Sequence, residues 1–187
     1  FYTVSNFMRA DVFLYEDTNW LVASAVDRQE YEVWVEQNGA WQRFATMPTS
    51  GWAHQVTFDS TRKMGFVSAG WSGVDIVDFS DRASPRLIKN VPVSGHNIHS
   101  ALSEDGRWLY VAGYEQGVTV IDVAVPENAV AVRRIDTLGA AIHVTLSDDG
   151  KVLYLGDSDE GLVTIDVGEQ ARFSTNVDTV AVTVLPP

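Results

Sequence analysis

The feature that most constrains this chain is a self-similarity with a period of 44 residues. His99-Ser-Ala-Leu-Ser-Glu-Asp-Gly106-Arg-Trp-Leu-Tyr110-Val recurs as His143-Val-Thr-Leu-Ser-Asp-Asp-Gly150-Lys-Val-Leu-Tyr154-Leu, every element displaced by 44. Gly117-Val-Thr-Val-Ile-Asp122-Val recurs 44 residues later as Gly161-Leu-Val-Thr-Ile-Asp166-Val, and Gly73-Val-Asp-Ile-Val-Asp78-Phe precedes it by the same interval. His54-Gln-Val-Thr-Phe-Asp59 lies 45 before His99, so that copy carries one extra residue. A weaker fourth copy stands at the N-terminal end: Asp17-Thr-Asn-Trp20-Leu21 is 88 residues before Asp105-Gly-Arg-Trp108-Leu109. There Glu32-Val-Trp-Val35 replaces the third strand and its terminal Asp is lost.

Each unit is strand-like. Short runs rich in Val, Ile, Leu and Tyr are separated by Gly and Asp turn signals, and no helical period is present. In the clearest copy the spacing predicts strand A at 97–102, strand B at 107–112, strand C at 117–123 and strand D at 129–135. Ser103-Glu-Asp-Gly106 and Ser147-Asp-Asp-Gly150 read as hairpin turns in which Gly supplies the positive φ. Four antiparallel strands recurring at about 40–45 residues make a propeller blade. A β-sandwich lacks such long-period self-similarity, and solenoids have shorter repeats and parallel strands. The expectation is an all-β propeller of about four four-stranded blades, at 11–50, 51–94, 95–138 and 139–180. Residues 1–4 align with the end of a strand D, and 177–185 with the start of a further strand A. The chain is therefore expected either to close as a small ring or to form part of a larger propeller completed by remaining blades or partner chains.

These repeats resemble those of the bacterial LVIVD and YVTN propellers. Gly73-Val-Asp-Ile-Val-Asp-Phe-Ser-Asp-Arg-Ala-Ser-Pro85-Arg-Leu is similar to the first type, and Ser147-Asp-Asp-Gly-Lys-Val-Leu-Tyr-Leu, closing on Val163-Thr-Ile-Asp-Val, to the second. The match covers residues 51–167 well and 11–50 loosely. The resemblance implies the fold and is nearly silent on activity, because such families serve as surface, scaffold and enzyme domains alike.

Composition narrows the function classes. Hydrophobic residues make up 45% and charged residues 20% of the chain, the mix of a folded domain rather than a disordered one. Cysteine is absent, which excludes disulfides, thiolate metal sites and Cys nucleophiles. A net charge of −12 repels phosphate backbones, and the only adjacent basic pairs, Arg62-Lys63 and Arg133-Arg134, form no patch, so no nucleic-acid partner is expected. No apolar run approaches the roughly 20 residues of a membrane-spanning helix. The acidic balance suits an extracytoplasmic protein, whether periplasmic, secreted or at the cell surface.

Propeller geometry converts offsets into neighbours. The D-to-A connection and the B-to-C loop emerge on one face, the A-to-B and C-to-D turns on the other. His54, His99 and His143 open strand A in three copies, and Asp11 takes that place in the fourth. Three imidazoles and a carboxylate around the channel mouth could hold a transition metal, in position similar to the inner-strand histidines of propeller metalloenzymes. The alternative is that each repeated His hydrogen-bonds the neighbouring blade and fixes the stacking. His96, in a D-to-A loop, is expected to face solvent. Trp52, Trp71 and Tyr114 lie on the histidine face as a candidate binding surface for a protein or glycan, the alternative being that the tryptophans pack between blades. Asp157, Asp159 and Glu160 form an acidic loop without the spacing of an EF-hand. Asp78, Asp122 and Asp166 end strand C on the far face, where they should cap turns. Ser103 and Ser147 lie at the opposite end of strand A from the histidines, so no Ser–His–Asp triad forms. The function expected is a non-enzymatic interaction or scaffold module, with a metal-dependent enzyme or redox domain as the alternative.

Overall fold

The computed structural model describes residues 7–15, 18–25, 29–81, 83–168 and 182–184, the side chains at 7–20, 24–25 and 182–184 excepted. Among them lie four four-stranded antiparallel sheets, each a simple meander. Blade 1 is β1 (Phe7–Tyr15), β2 (Thr18–Ala25), β3 (Glu30–Gln37) and β4 (Ala40–Pro48). Blade 2 is β5 (Val56–Asp59), β6 (Met64–Ser68), β7 (Val74–Asp78) and β8 (Arg86–Val91). Blade 3 is β9 (His99–Leu102), β10 (Trp108–Ala112), β11 (Val118–Asp122) and β12 (Val130–Ile135). Blade 4 is β13 (Ala141–Leu146), β14 (Val152–Asp157), β15 (Gly161–Asp166) and β16 (Val182–Val184).

The sequence period is also a register period. Met64 pairs with Asp78, Trp108 with Asp122 and Val152 with Asp166, each pair 44 residues after the last. The outer-strand bulge repeats too, at Ile76/Val77 and at Val120/Ile121. One expectation is corrected. Residues 182–184 do not open a further strand A; β16 pairs with β15 as the fourth strand of blade 4. The longer connection after Asp166 hides this, since it pushes strand D out of the 44-residue phase. Residues 1–4, expected to end a strand D, lie outside the described residues.

The central strands bury both faces, so they read as continuous apolar runs rather than alternating ones. In β6, Phe66 points into the junction with blade 3 and its neighbour Val67 into the junction with blade 1. Three hydrophobic clusters fill the three junctions. Tyr31, Val33, Val35 and Met47 of blade 1 meet Val56, Val67 and Val77 of blade 2. Phe66, Ile76 and Val91 meet Leu109, Val111 and Ile121. Tyr110, Val120 and Ile135 meet Val144, Leu153, Leu155 and Ile165. Among the described residues no fourth cluster joins blade 4 to blade 1. Ile142, Tyr154 and Leu162 of blade 4 are correspondingly exposed. Blade 1 turns Glu32, Trp34 and Arg43 away from blade 2 by strand alternation. There the Glu32 carboxylate accepts from Trp34 Nε1 and Arg43 Nη1, each at 3.1 Å, beside a groove of 560 Å³ lined by Trp34, Trp41 and Arg43.

Polar staples lock the blades on both faces. Gly70 and Asn97 exchange backbone hydrogen bonds of 3.1 and 3.0 Å, and Tyr114 and Ala141 exchange bonds of 3.1 and 2.9 Å, one period on. Each joins a B-to-C loop to the strand-A entry of the next blade, which puts those two connections on one face. On the other face, Arg62 in an A-to-B turn donates to Asp59 at 2.6 Å and reaches the Val123 carbonyl of blade 3 at 2.8 Å.

The repeated aspartates cap turns, as the sequence predicts. Asp78 accepts from the Ser80 N–H at 2.8 Å, Asp122 from Ala124 at 3.0 Å and Asp166 from Gly168 at 2.9 Å. Asp105 and Asp149 close their hairpins by accepting from the hydroxyls of Ser103 (2.6 Å) and Ser147 (2.7 Å). At Asp78 and Asp149 the bonds favour the charged carboxylate. Hydrogen bonds from Ser80, aided by Arg86, lower the Asp78 pKa below its ordinary 3.8. Bonds from Ser147 and Lys151 lower that of Asp149. At Asp59 burial pushes upward, but the Arg62 N–H and guanidinium outweigh it. His96 is shifted the other way in charge preference: burial lowers its pKa below 6.5, favouring the neutral ring.

As pH falls through 6.5 the unfolded chain protonates its histidine before folded His96 does, so stability drops a little. The carboxylates contribute stability above pH 3.8, and it is lost as pH falls through their depressed folded values. Melting temperature recorded against pH should therefore decline in two steps, a small one between pH 7 and 5 and a larger one below about pH 4.

Candidate binding face

His54, His99 and His143 sit at one level of their blades. His99 pairs with Ala112 and His143 with Gly156, each four residues past the strand-B start marked by Trp108 and Val152. His54 donates its backbone N–H to Ser68, four past Met64, at 2.8 Å. Asp11 pairs with Val22, only two past Trp20, so β1 does not carry it to the histidine level; its side chain lies outside the described residues.

The histidines divide into two pairs. His54 Nε2 lies 2.9 Å from His96 Nε2, with ring centroids 4.6 Å apart and planes at 83°. His99 and His143 instead stack, with centroids 3.8 Å apart and planes at 32°. Among the described residues no group of three or more His, Asp or Glu side chains is placed to hold one ion. Deeper along strand A, Gln55 Oε1 accepts from the Ser100 N–H at 2.9 Å, and Thr57 Oγ1 donates to the Ser100 carbonyl at 2.8 Å. The inner strands of blades 2 and 3 are therefore joined by a satisfied polar network.

His96 is not solvent-facing as the sequence predicts. It is half-buried at the centre of an aromatic group: Trp71 stacks on its ring at 5.2 Å and 13°, and Tyr114 meets it edge-on at 6.5 Å. The reason is the Gly70–Asn97 bridge, which draws the two loops together; a Cβ on Gly70 would lie 3.4 Å from His96 Nε2. Trp52, whose carbonyl oxygen lies 3.2 Å from that same Cβ position, belongs to the same surface.

The alternative in which the tryptophans pack between blades does not hold. Trp71 is 71% exposed, Trp52 51% and Tyr114 40%. Leu138, at 81%, extends the apolar surface in the next D-to-A loop. Neither Leu138 nor His96 was marked by the repeat, because both occupy loop positions that differ in type from copy to copy. Asp157, assigned to a solvated acidic loop, is buried: its Oδ1 accepts from the N–H groups of Asp159 (3.0 Å) and Glu160 (3.2 Å).

Tyr114 holds φ at +55°, where the equivalent residue is Gly70 at +60°. A bulky side chain in this region costs roughly 1–3 kcal/mol and persists where surrounding structure enforces it. Tyr114→Gly should leave stability within about 1 kcal/mol, relieved strain offsetting lost packing, while weakening whatever binds this surface. Thermal melts read alongside binding separate the two effects.

The family described as LVIVD repeat matches residues 65–93 and 139–176, which are blade 2 from β6 onward and much of blade 4. The chain folds as a β-propeller, and two stretches of it match the LVIVD repeat. No curated protein matches its sequence. Solved structures agree on the fold. A 6-phosphogluconolactonase-like protein of Bacteroides uniformis superimposes with a TM-score of 0.73 at 18% identity, over 92% of this chain and 52% of its own. The β-propeller domain of Cps50 (Swd1) from Myceliophteria thermophila gives 0.64 at 12% identity, over 88% and 53%. Kuenenia stuttgartiensis hydrazine synthase gives 0.70 at 18%, over 86% and 46%. The chain thus spans about half the length of the structures it matches, and at these identities the likeness is one of fold.

Proposed function

We propose that this propeller is a non-enzymatic binding module that takes a protein or glycan partner on the face bearing His54, His96 and the exposed aromatics. The observation that carries the reading is the Trp71–His96 stack, braced from behind by His54, with Trp71 71% exposed. A large aromatic held at a fixed angle has little entropy left to lose and much apolar area to bury, the combination found at binding hot spots. Burying its free surface would contribute on the order of 3 kcal/mol. Further blades, from this or a partner chain, complete the ring beside blade 4, where Ile142, Tyr154 and Leu162 are exposed. An extracytoplasmic setting suits a cysteine-free module with a net charge of −12.

A glycan array and a random-peptide phage library, both probed with the wild-type protein, test the reading. Hits should weaken about 100-fold on Trp71→Ala, the equivalent of the free energy above. They should be unchanged on Arg107→Ala, which removes a far-face partner of Asp122. Hits indifferent to Trp71 would refute the assignment.

A further inference from the structure

We infer that His54 and His96 form a two-imidazole site for a borderline divalent transition metal such as Zn²⁺ or Cu²⁺. The geometry is specific to this pair. The two Nε2 atoms face one another at 2.9 Å across rings set at 83°. At that distance one Nε2–H donates to the lone pair of the other ring, and an ion that displaces this bridging proton, which leaves to solvent or to Nδ1, has both Nε2 atoms within reach. Metal–nitrogen bonds of about 2.0–2.1 Å at a tetrahedral angle set two imidazole nitrogens roughly 3.3 Å apart. The pair needs to open by about 0.4 Å and to tilt so that the two lone pairs meet off the N–N line rather than along it.

The second histidine pair is an internal control. Stacked rings such as those of His99 and His143, 3.8 Å apart and tilted 32°, present faces to each other rather than lone pairs, and cannot share an ion in that arrangement. The His54–His96 rings are also held in place independently of any ion. His54 is buried, with its backbone N–H bonded to Ser68, and His96 is clamped against Trp71. Imidazole is the donor preferred by zinc, copper and nickel, and two of them leave coordination positions for water or for a donor atom of a bound partner.

The test uses tag-free protein titrated with ZnCl₂ and CuCl₂ at pH 7.5 by calorimetry, with the Cu²⁺ or Co²⁺ absorption spectrum as a second readout. The expected result is one equivalent bound by wild type and by His143→Ala. Outer-shell changes alone weaken metal sites roughly tenfold or more, so His96→Ala should lose at least that much. His96 is half-exposed in a loop, and a melt of the variant confirms that it folds. Absence of stoichiometric binding by wild type would overturn the inference. So would affinity unchanged in His96→Ala, or affinity lost equally in His143→Ala.

Discussion

Phe66→Ala should destabilise the protein by about 3–5 kcal/mol. Phe66 lies fully buried in β6 and fills the junction between blades 2 and 3 together with Ile76, Leu109 and Ile121. Deleting its ring removes the transfer free energy of the side chain and leaves a cavity between two sheets that cannot collapse freely. The staples on both faces, Gly70–Asn97 and Arg62–Val123, fix the distance between those sheets. For a chain of this size each kcal/mol moves the melting temperature by roughly 2–4 °C, so a drop of about 10–15 °C is expected in a thermal melt. Phe66→Leu should recover more than half of the loss, since it restores most of the volume.

Asn97→Ala should cost about 3 kcal/mol through a different mechanism. Asn97 is fully buried, and its Nδ2 donates to the carbonyls of Gly70 (2.9 Å), Gly95 (3.0 Å) and Val93 (3.2 Å). Truncation removes the two amide N–H donors that these carbonyls share, each worth about 1 kcal/mol net and more where no water replaces it, while Gly70 keeps the backbone N–H of residue 97. Asn97→Asp should be worse than Asn97→Ala, because a carboxylate brings charge and no donor toward three carbonyl oxygens. The fold should survive both changes. Ala141 holds the same interblade bridge one period on with no polar side chain at all. A urea titration with an unchanged slope and a lowered midpoint is the expected signature.

Much of this architecture was legible because the repeat acts at three levels at once. Period, strand register and turn chemistry all advance by 44 residues, so the Ser103–Asp105 and Ser147–Asp149 hairpins and the Asp78, Asp122 and Asp166 caps could be placed from sequence. The strand-A histidines were readable for the same reason, as was the face they occupy. The repeat failed where a copy leaves the phase. The connection before β16 is longer, which made 182–184 look like a new strand A. Asp11 lies in a strand whose pairing has slipped relative to the other blades.

Pairing between loops was the part sequence could not reach. His96 precedes the Asn97 bridge and is carried with it against Trp71 and His54, although it is 42 residues from His54 in sequence. Asp157 occupies the position of Gly113, and its burial follows from turn geometry rather than from its charge. Neither placement has a periodic signal, because loop composition varies while strand pattern does not.

The central claim is that binding belongs to the histidine face. Hydrogen–deuterium exchange on the protein saturated with a phage-selected peptide tests it most directly. New protection is expected at 52–54, 69–73, 93–98 and 113–117, the connections that carry Trp52, Trp71, His96 and Tyr114. Protection confined to the turns at 103–107, 122–126 and 147–151 would contradict it.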